Sequence, residues 1–335
     1  MTEHYSVQPD QVGMELDEFL CRLYPLTSKR VLRQLVRDGQ ITVNAQPAAP
    51  GHRLRDDEVV LVDIEEDELP TSLEPRPYEE PLDLLHEDEH VVVVDKPADL
   101  LVEPDRWDET RPNLLSALHA LALARAEAGG AGAFRPRLVH RLDRDTSGVV
   151  VVAKTVDAER ALGAAFERGD VRKSYFALVE GEHPLADGEQ ELIELAIGPD
   201  SKRGGTMCVR RDGKQSATRV AVAQRFRGFT WLACEPLTGR THQIRVHLSA
   251  KGFPLAVDPL YGRRRALLLS EIKSGYRHKP GQPETPLIER LTLHASAVEF
   301  PDVGDPSRTV RIEAPIPRDL ERTLKQLAKV RPPRR

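Results

Sequence analysis

The chain has 335 residues, 40% apolar and 30% charged, with a net charge of −5, which suffices for one large core and a smaller second one. No apolar run approaches the roughly 20 residues of a membrane-spanning helix, and Met1-Thr-Glu-His-Tyr-Ser6 lacks the basic-then-apolar order of a signal peptide. Cys21, Cys208 and Cys234 are far apart and make no CxxC pair, so they fit neither a disulfide framework nor a zinc site, and a reducing cytoplasm is the expected compartment.

The net charge alone argues against a nucleic-acid partner, but its distribution points the other way. Residues 64–89 carry eleven acids against Arg76, whereas residues 200–245 carry ten bases against three acids. A strand-rich segment with that excess of positive charge is suited to face phosphates, although a merely solvated basic face would look the same.

Taken in chain order, residues 14–64 read as a compact unit. Leu16, Phe19, Leu20 and Leu23 share one helical face. Thr27 or Ser28 then caps a second helix with Val31, Leu32, Leu35 and Val36 as its apolar stripe. Asp38-Gly39 ends that helix, and Ile41–Val43 and Val59–Val62 read as strands. Arg22, Lys29, Arg30, Arg33 and Arg37 give the helical pair a basic face with no acid between them. Through Thr27-Ser-Lys-Arg30, Val36-Arg-Asp-Gly39 and Val43-Asn44 the unit resembles the S4 RNA-binding module, which implies that Lys29, Arg30, Arg33 and Arg37 contact RNA. Residues 65–81, acidic and holding Pro70, Pro75 and Pro77, cannot build a core and read as a linker.

From residue 82 to about 330 strands and helices alternate without a repeating βαβ beat. Strands are expected over 90–95, 147–154, 173–181, 216–226, 229–236, 291–298 and 308–313. Helices are expected over 112–127, 157–168 and 317–329, with a further turn or two after Thr241. Residues 126–133 read as a glycine-rich loop. The expected fold class is α+β, a mixed and mostly antiparallel sheet with flanking helices, preceded by the small α/β unit.

Three blocks carry chemistry. His140-Arg-Leu-Asp-Arg-Asp-Thr-Ser-Gly148 runs straight into an apolar strand, which puts Asp143 at the mouth of a sheet between Arg141 and Arg144; the same residues would also suit a plain turn. Leu237–His247 contains Gly239 for a tight turn, then Arg240, Gln243, Arg245 and His247 as donors. An arginine near a buried carboxylate favours its ionised form, as a carboxylate nucleophile requires, although Arg245 could equally pair with a structural acid. In the alternating strand Lys173–Val179, Tyr175 shares a face with Lys173 and Ala177, where it could pack, stack on a base or move a proton.

These blocks, with Val94-Asp-Lys-Pro97, Gly252-Phe-Pro-Leu255, Asp258-Pro-Leu-Tyr-Gly262, Leu293-His-Ala295 and Ala314-Pro-Ile-Pro317, resemble the RluA-type pseudouridine synthases over nearly the whole chain. The resemblance implies a pseudouridine-synthase-like catalytic domain over 82–330 with Asp143 as nucleophile. It also implies that Arg141 props the gap left in the RNA stack, that Tyr175 stacks on the flipped base and that Arg245 orients Asp143. Arg144 and Arg240 are expected to contact RNA. The reaction breaks the bond from ribose C1′ to uracil N1 and rejoins the base through C5. It has no redox change and loses no group, so no cofactor is expected, and His140, His242 and His247 have no metal-ligand spacing. Whether Asp143 traps the sugar or assists uracil loss is left open. One departure stands out: many members carry a His-Pro-Gly turn where this chain has Glu103-Pro-Asp-Arg-Trp107. S4-bearing relatives mostly modify large-subunit ribosomal RNA, so that is the expected substrate, with transfer RNA as the alternative and a monomer as the default state. An N-glycosidase using Asp143, or a non-catalytic S4-type RNA-binding protein, would share some of these residues.

Overall fold

Val91–Val94 and Val149–Val152 each place four valines in a row, and such β-branched runs suit strands that are covered on both faces. In the computed structural model, which describes residues 3–7, 11–24, 27, 29–64, 78–104, 111–127, 134–277 and 281–333, these runs are neighbouring antiparallel strands, with Val94 opposite Val150 and Val91 opposite Ala153. Alternate side chains go to opposite faces. Val91, Val93, Val149 and Val151 pack against one helix through Ala158, Leu162 and Ala165. Val92, Val94, Val150 and Val152 meet another through Leu114 and Leu118.

The chain divides into two units, one of residues 1–77 with 105–111 and one of residues 78–104 with 112–335. The first contains β1 (Glu3–Ser6), α1 (Leu16–Leu23), α2 (Lys29–Arg37), β2 (Ile41–Val43), β3 (Gln46–Pro47) and β4 (Val59–Val62), with strand order β1-β4-β2-β3. Leu16, Phe19 and Leu20 of α1 and Leu32 and Val36 of α2 form one core with Ile41, Val60 and Val62. The basic face of the two helices is not free of acid. Asp17, fully buried on α1, pairs with Lys29 at 3.2 Å and Arg33 at 2.6 Å, because these two bases, four residues apart, share one face of α2. Arg30 and Arg37 are exposed. Ser28 and residues 65–77 of the expected linker lie outside the described residues, and Tyr78 packs against the core of the second unit.

The second unit contains β5 (Asp83–Glu87), β6 (Val91–Lys96), α3 (Leu114–Glu127), β7 (Arg137–Leu138), β8 (Ser147–Ala153), α4 (Val156–Arg168) and β9 (Arg172–Glu180). These are followed by β10 (Gln190–Glu194), β11 (Ile197–Pro199), β12 (Met207–Val209), β13 (Ala217–Phe226), β14 (Phe229–Pro236) and α5 (Gln243–Ala250). The chain closes with α6 (Leu269–Ile272), β15 (Leu293–Pro301), β16 (Thr309–Glu313) and α7 (Arg318–Val330). A ten-stranded sheet runs β10-β13-β14-β9-β15-β8-β6-β5, with β16 on β15 and β7 on β8. Its pairings are antiparallel except β15 with β8, so the mixed, mostly antiparallel sheet with flanking helices is what forms. Helix α3 runs two residues into the expected loop at 126–133, of which 128–133 lie outside the described residues. Among the described residues no helix is long and apolar enough to cross a membrane.

The parallel contact of β15 with β8 positions the chemistry. Ala295 pairs with Gly148 on one side and with Tyr175 of β9 on the other, so the end of the Asp143 loop and Tyr175 are one strand apart. Gly148 has φ of 116°, and a Cβ there would lie 2.0 Å from the Ala295 carbonyl oxygen. Only glycine suits both the angle and the space. Gly148→Ala is therefore expected to cost about 2–4 kcal/mol, seen as a lower melting temperature with reduced activity; an unchanged melting profile would contradict the close packing of β8 on β15.

Candidate active site

Asp143 sits in the loop between β7 and β8, in a turn closed by the Thr146 N–H donating to the Asp143 carbonyl at 3.1 Å. The turn is tied down from below. Lys96, fully buried at the end of β6, donates through Nζ to the carbonyls of Pro97 (2.7 Å), Leu100 (2.8 Å) and Arg144 (2.8 Å). Burial pushes this ammonium down to about 7, against the opposing charges of Asp145 and Asp143, and the three carbonyls satisfy its three N–H groups. His140 also serves the fold: its Nε2 accepts from the Val151 N–H at 2.9 Å, its ring stacks on Phe166, and burial pushes it down to about 3.

Arg245 stands on the first turn of α5 and is 3% exposed. Its Nη1 donates to Asp143 Oδ2 at 3.1 Å. Its planar fork is used elsewhere: Nε and Nη2 donate to the two oxygens of fully buried Asp258 at 2.8 and 2.9 Å. The expected pairing with Asp143 and the alternative of a structural acid are thus both realised, with the two-point grip on Asp258. Burial disfavours the guanidinium charge, but Asp258 and then Asp143 outweigh it and raise the group above its ordinary value. Tyr261 places its ring 5.0 Å from the guanidinium.

A cavity of about 820 Å³ opens beside this cluster and is also lined by Tyr175, Lys173 and Leu293. Tyr175 lies on the cavity side of β9, while Phe176 turns to the other face and stacks on Trp231 at 5.1 Å. Burial, and next the Asp143 charge, push the Tyr175 hydroxyl well above its ordinary range, so it stays protonated at neutral pH. Lys173 is pushed down by burial. Arg141, Arg172, Lys173, Arg219, Arg240 and Arg245 line the cavity against Asp143, Glu167 and Glu235, an excess of positive charge that attracts phosphate.

The expected RNA contacts do not all stand free. Exposed Arg141 pairs with Glu103 of the atypical turn, whose Asp105–Trp107 lie outside the described residues. Arg144 pairs with Asp145 at 2.8 Å and Asp99 at 3.3 Å. Arg240 is exposed and donates to the Gln215 carbonyl at 3.2 Å. Of the basic segment 200–245, Arg219, Arg240 and Arg245 reach the cavity, while Arg210 pairs with Asp212 and Arg225 with Asp187. Gln243 borders the cavity, but its amide oxygen is taken by donors from Thr238 and Arg240, and His247 turns inward, fully buried against Ser216 and Thr218. Asp258, Tyr261 and Lys96 carry no individual signal in the sequence, although each lies in a block that bears the family resemblance. Among the described residues no group of three or more His, Cys, Asp or Glu is arranged to hold a metal ion.

The sheet places a carboxylate beside a cavity lined by more basic than acidic side chains, a surface suited to a polyanionic substrate. Residues 90–250 match the RNA pseudouridylate synthase family and residues 14–60 match the S4 domain. The chain is 36% identical to the ribosomal large subunit pseudouridine synthase D of Xanthomonas campestris, over 96% of this chain and 92% of that one. It is 32% identical to the ribosomal large subunit pseudouridine synthase C of Salmonella typhi, over 96% and 95%. Among solved structures, human RNA pseudouridylate synthase domain containing 1 is similar at 27% identity and a TM-score of 0.52, over 74% and 86% of the two chains. The chain belongs to the RNA pseudouridylate synthase family, carries an S4 domain, and is an RNA pseudouridine synthase of the RluA type.

Removing one partner of a buried ion pair costs about 3–5 kcal/mol because the other charge is left uncompensated. Asp258→Asn keeps the shape and removes the charge, and should lower both the thermal stability and the turnover rate, since a released Arg245 fork is free to swing onto Asp143. Retention of both within error would mean that Asp258 is not what holds Arg245.

Proposed function

We propose that Asp143 is the nucleophile of this pseudouridine synthase and that its substrate is structured ribosomal RNA of the large subunit. The observation that carries the first part is the contact of a half-open carboxylate with a guanidinium already locked by Asp258. Its other oxygen, Oδ1, makes no hydrogen bond among the described residues. Asp143 attacks ribose C1′ as the bond to N1 breaks and the electron pair leaves on the uracil. The base turns and C5 takes the place of the carboxylate oxygen at C1′. The C5 proton is then lost and N1 ends protonated, so no redox partner is needed.

A uridine in folded RNA must be extruded to reach the carboxylate. Tyr175 offers its ring to the extruded base, and its protonated hydroxyl is available for proton transfer. Arg141 releases Glu103 to fill the gap in the stack, and Arg144, Lys173 and Arg240 meet phosphates. Ribosomal RNA is favoured by the names of the relatives, which are large-subunit enzymes, and by the S4 domain, which adds a second grip through Lys29, Arg30, Arg33 and Arg37. The enzyme then works in the cytoplasm, where ribosomal RNA is modified.

Asp143→Asn should abolish tritium release from RNA labelled at uridine C5 while RNA binding persists. Residual turnover above about one per cent would remove Asp143 from the role, because loss of a nucleophile costs many decades. Free uracil with an abasic chain as product would instead indicate a glycosidase.

Two linked sites raise affinity only when one RNA spans both, and each phosphate contact adds about 0.7–0.9 to the slope of log affinity against log salt. Deleting residues 1–64 should therefore weaken binding to ribosomal RNA and flatten its salt dependence, with the single-turnover rate at saturation nearly kept. Loss of pseudouridine from transfer RNA alone in cells lacking the gene would refute the substrate.

A further inference from the structure

His140 and His247 are accounted for by packing; His242 is not. It precedes α5 with φ of 56°, a left-handed conformation that residues with side chains rarely adopt. A non-glycine residue held there beside a reacting group suggests that its side chain is needed at that point.

The ring is held at one end by a hydrogen bond and faces Asp143 at the other. Nδ1 lies 2.7 Å from the Tyr261 hydroxyl, and the two rings meet edge to face at 5.5 Å. That hydroxyl oxygen already accepts the Met207 N–H at 2.7 Å. The phenolic proton therefore goes to Nδ1, its one acceptor among the described residues, and a neutral histidine accepting at Nδ1 carries its proton on Nε2. Nε2 is 3.9 Å from Asp143 Oδ2, the oxygen that accepts from Arg245 Nη1. A carboxylate oxygen attracts an N–H and repels a lone pair, so both ends of the ring select the same tautomer.

We propose that His242 is a positioning residue for the nucleophile. Held as the Nε2–H tautomer by Tyr261, it closes on Oδ2 of Asp143 together with Arg245 and leaves Oδ1 as the oxygen that meets ribose C1′. This rests on Asp143 being the nucleophile. The 3.9 Å gap closes by a small turn of the carboxyl group, which is 24% exposed and has room to move. A neutral donor suits the task better than a second cation. When Oδ1 bonds to C1′ the carboxylate loses its charge, and every cation beside it resists that loss, whereas a neutral N–H orients the group at smaller cost. Burial pushes the imidazole below its ordinary value. Asp143 opposes this, Arg245 adds to it, and Asp258 and Asp145 also oppose it.

Three variants, assayed in single turnover on saturating RNA tritiated at uridine C5, test the proposal against Asp143→Asn in parallel. His242→Gly relaxes the backbone and removes the ring. His242→Asn tolerates the left-handed backbone but is too short to reach Oδ2. His242→Gln places an amide N–H near the position of Nε2. Glycine and asparagine should slow the reaction by about 10–100-fold, the range seen when a partner that orients a metal-bound side chain is lost. RNA affinity should stay within about threefold and melting temperature near that of wild type, with glutamine recovering most of the rate. Wild-type rates in the glycine and asparagine variants would overturn the proposal. So would a glutamine variant as slow as glycine, or rate losses that follow losses of melting temperature. Turnover by Asp143→Asn would instead remove the nucleophile itself, an outcome separate from failure of the His242 variants alone.

Discussion

Arg245 is a guanidinium almost wholly withdrawn from water, with two carboxylates to share. A buried charge of that kind is tolerable only when its donors are satisfied and its charge is matched. Asp258 does both through two nearly parallel hydrogen bonds, and the Tyr261 ring covers part of the face. The third bond goes to Asp143 from a group that is already fixed. That donor requires no reorganisation when substrate arrives, which is where preorganised electrostatics has its advantage.

The charge count also matters. One cation between two carboxylates leaves the cluster with an excess negative charge, and the more exposed member is Asp143. A lone arginine–aspartate pair would be neutral and closed, with the carboxylate held at two points. Sharing the arginine with a deeper acid orients Asp143 by one bond and leaves the other oxygen to the cavity. The sheet sets the distance across the site: because Ala295 pairs with both Gly148 and Tyr175, the loop bearing the carboxylate and the ring facing it differ by a single strand. Substitution of any bulk at Gly148 would move one relative to the other.

Much of this is legible in the sequence because its signals are local. The valine runs, the glycine after Thr146-Ser147 and the apolar face of α4 declare strand, turn and helix within a few residues, and the observed bounds differ from the expected ones by only a few positions. The helix expected from residue 112 begins at Leu114 because the Asn113 side chain caps it, accepting from the Ser116 N–H at 2.9 Å. Strands β10, β11 and β12 give little sign of themselves because β10 is mostly polar and β11 and β12 span only three residues each, with Ile193 and Ile197 as their deeply buried apolar side chains. The partners of Arg245 and His242 are hidden for another reason. Asp258 and Tyr261 lie 13 and 19 residues further on, in a segment with no periodicity. Only the return of that loop over α5 brings them to the site. Asp17 belongs to the basic face although its sequence position lies outside the basic cluster, because Lys29 and Arg33 on one face of α2 both reach it.

The same pairing of bases with acids explains how a chain of negative net charge serves an RNA substrate. Arg141 pairs with Glu103, Arg144 with Asp145 and Asp99, Arg219 with Glu235, and Lys29 and Arg33 with buried Asp17, so much of the basic charge is met by the chain's own carboxylates. Exposed pairs such as Arg141 with Glu103 and Arg144 with Asp145 are worth about 0–1 kcal/mol, so giving up either carboxylate costs little. Carboxylates so placed also repel a polyanion that does not displace them. The buried pair of Arg245 with Asp258 cannot be given up in this way, since neither member reaches water. The chain thus holds one fixed ion pair beside Asp143 and exposed pairs at Arg141 and Arg144 that part at little cost.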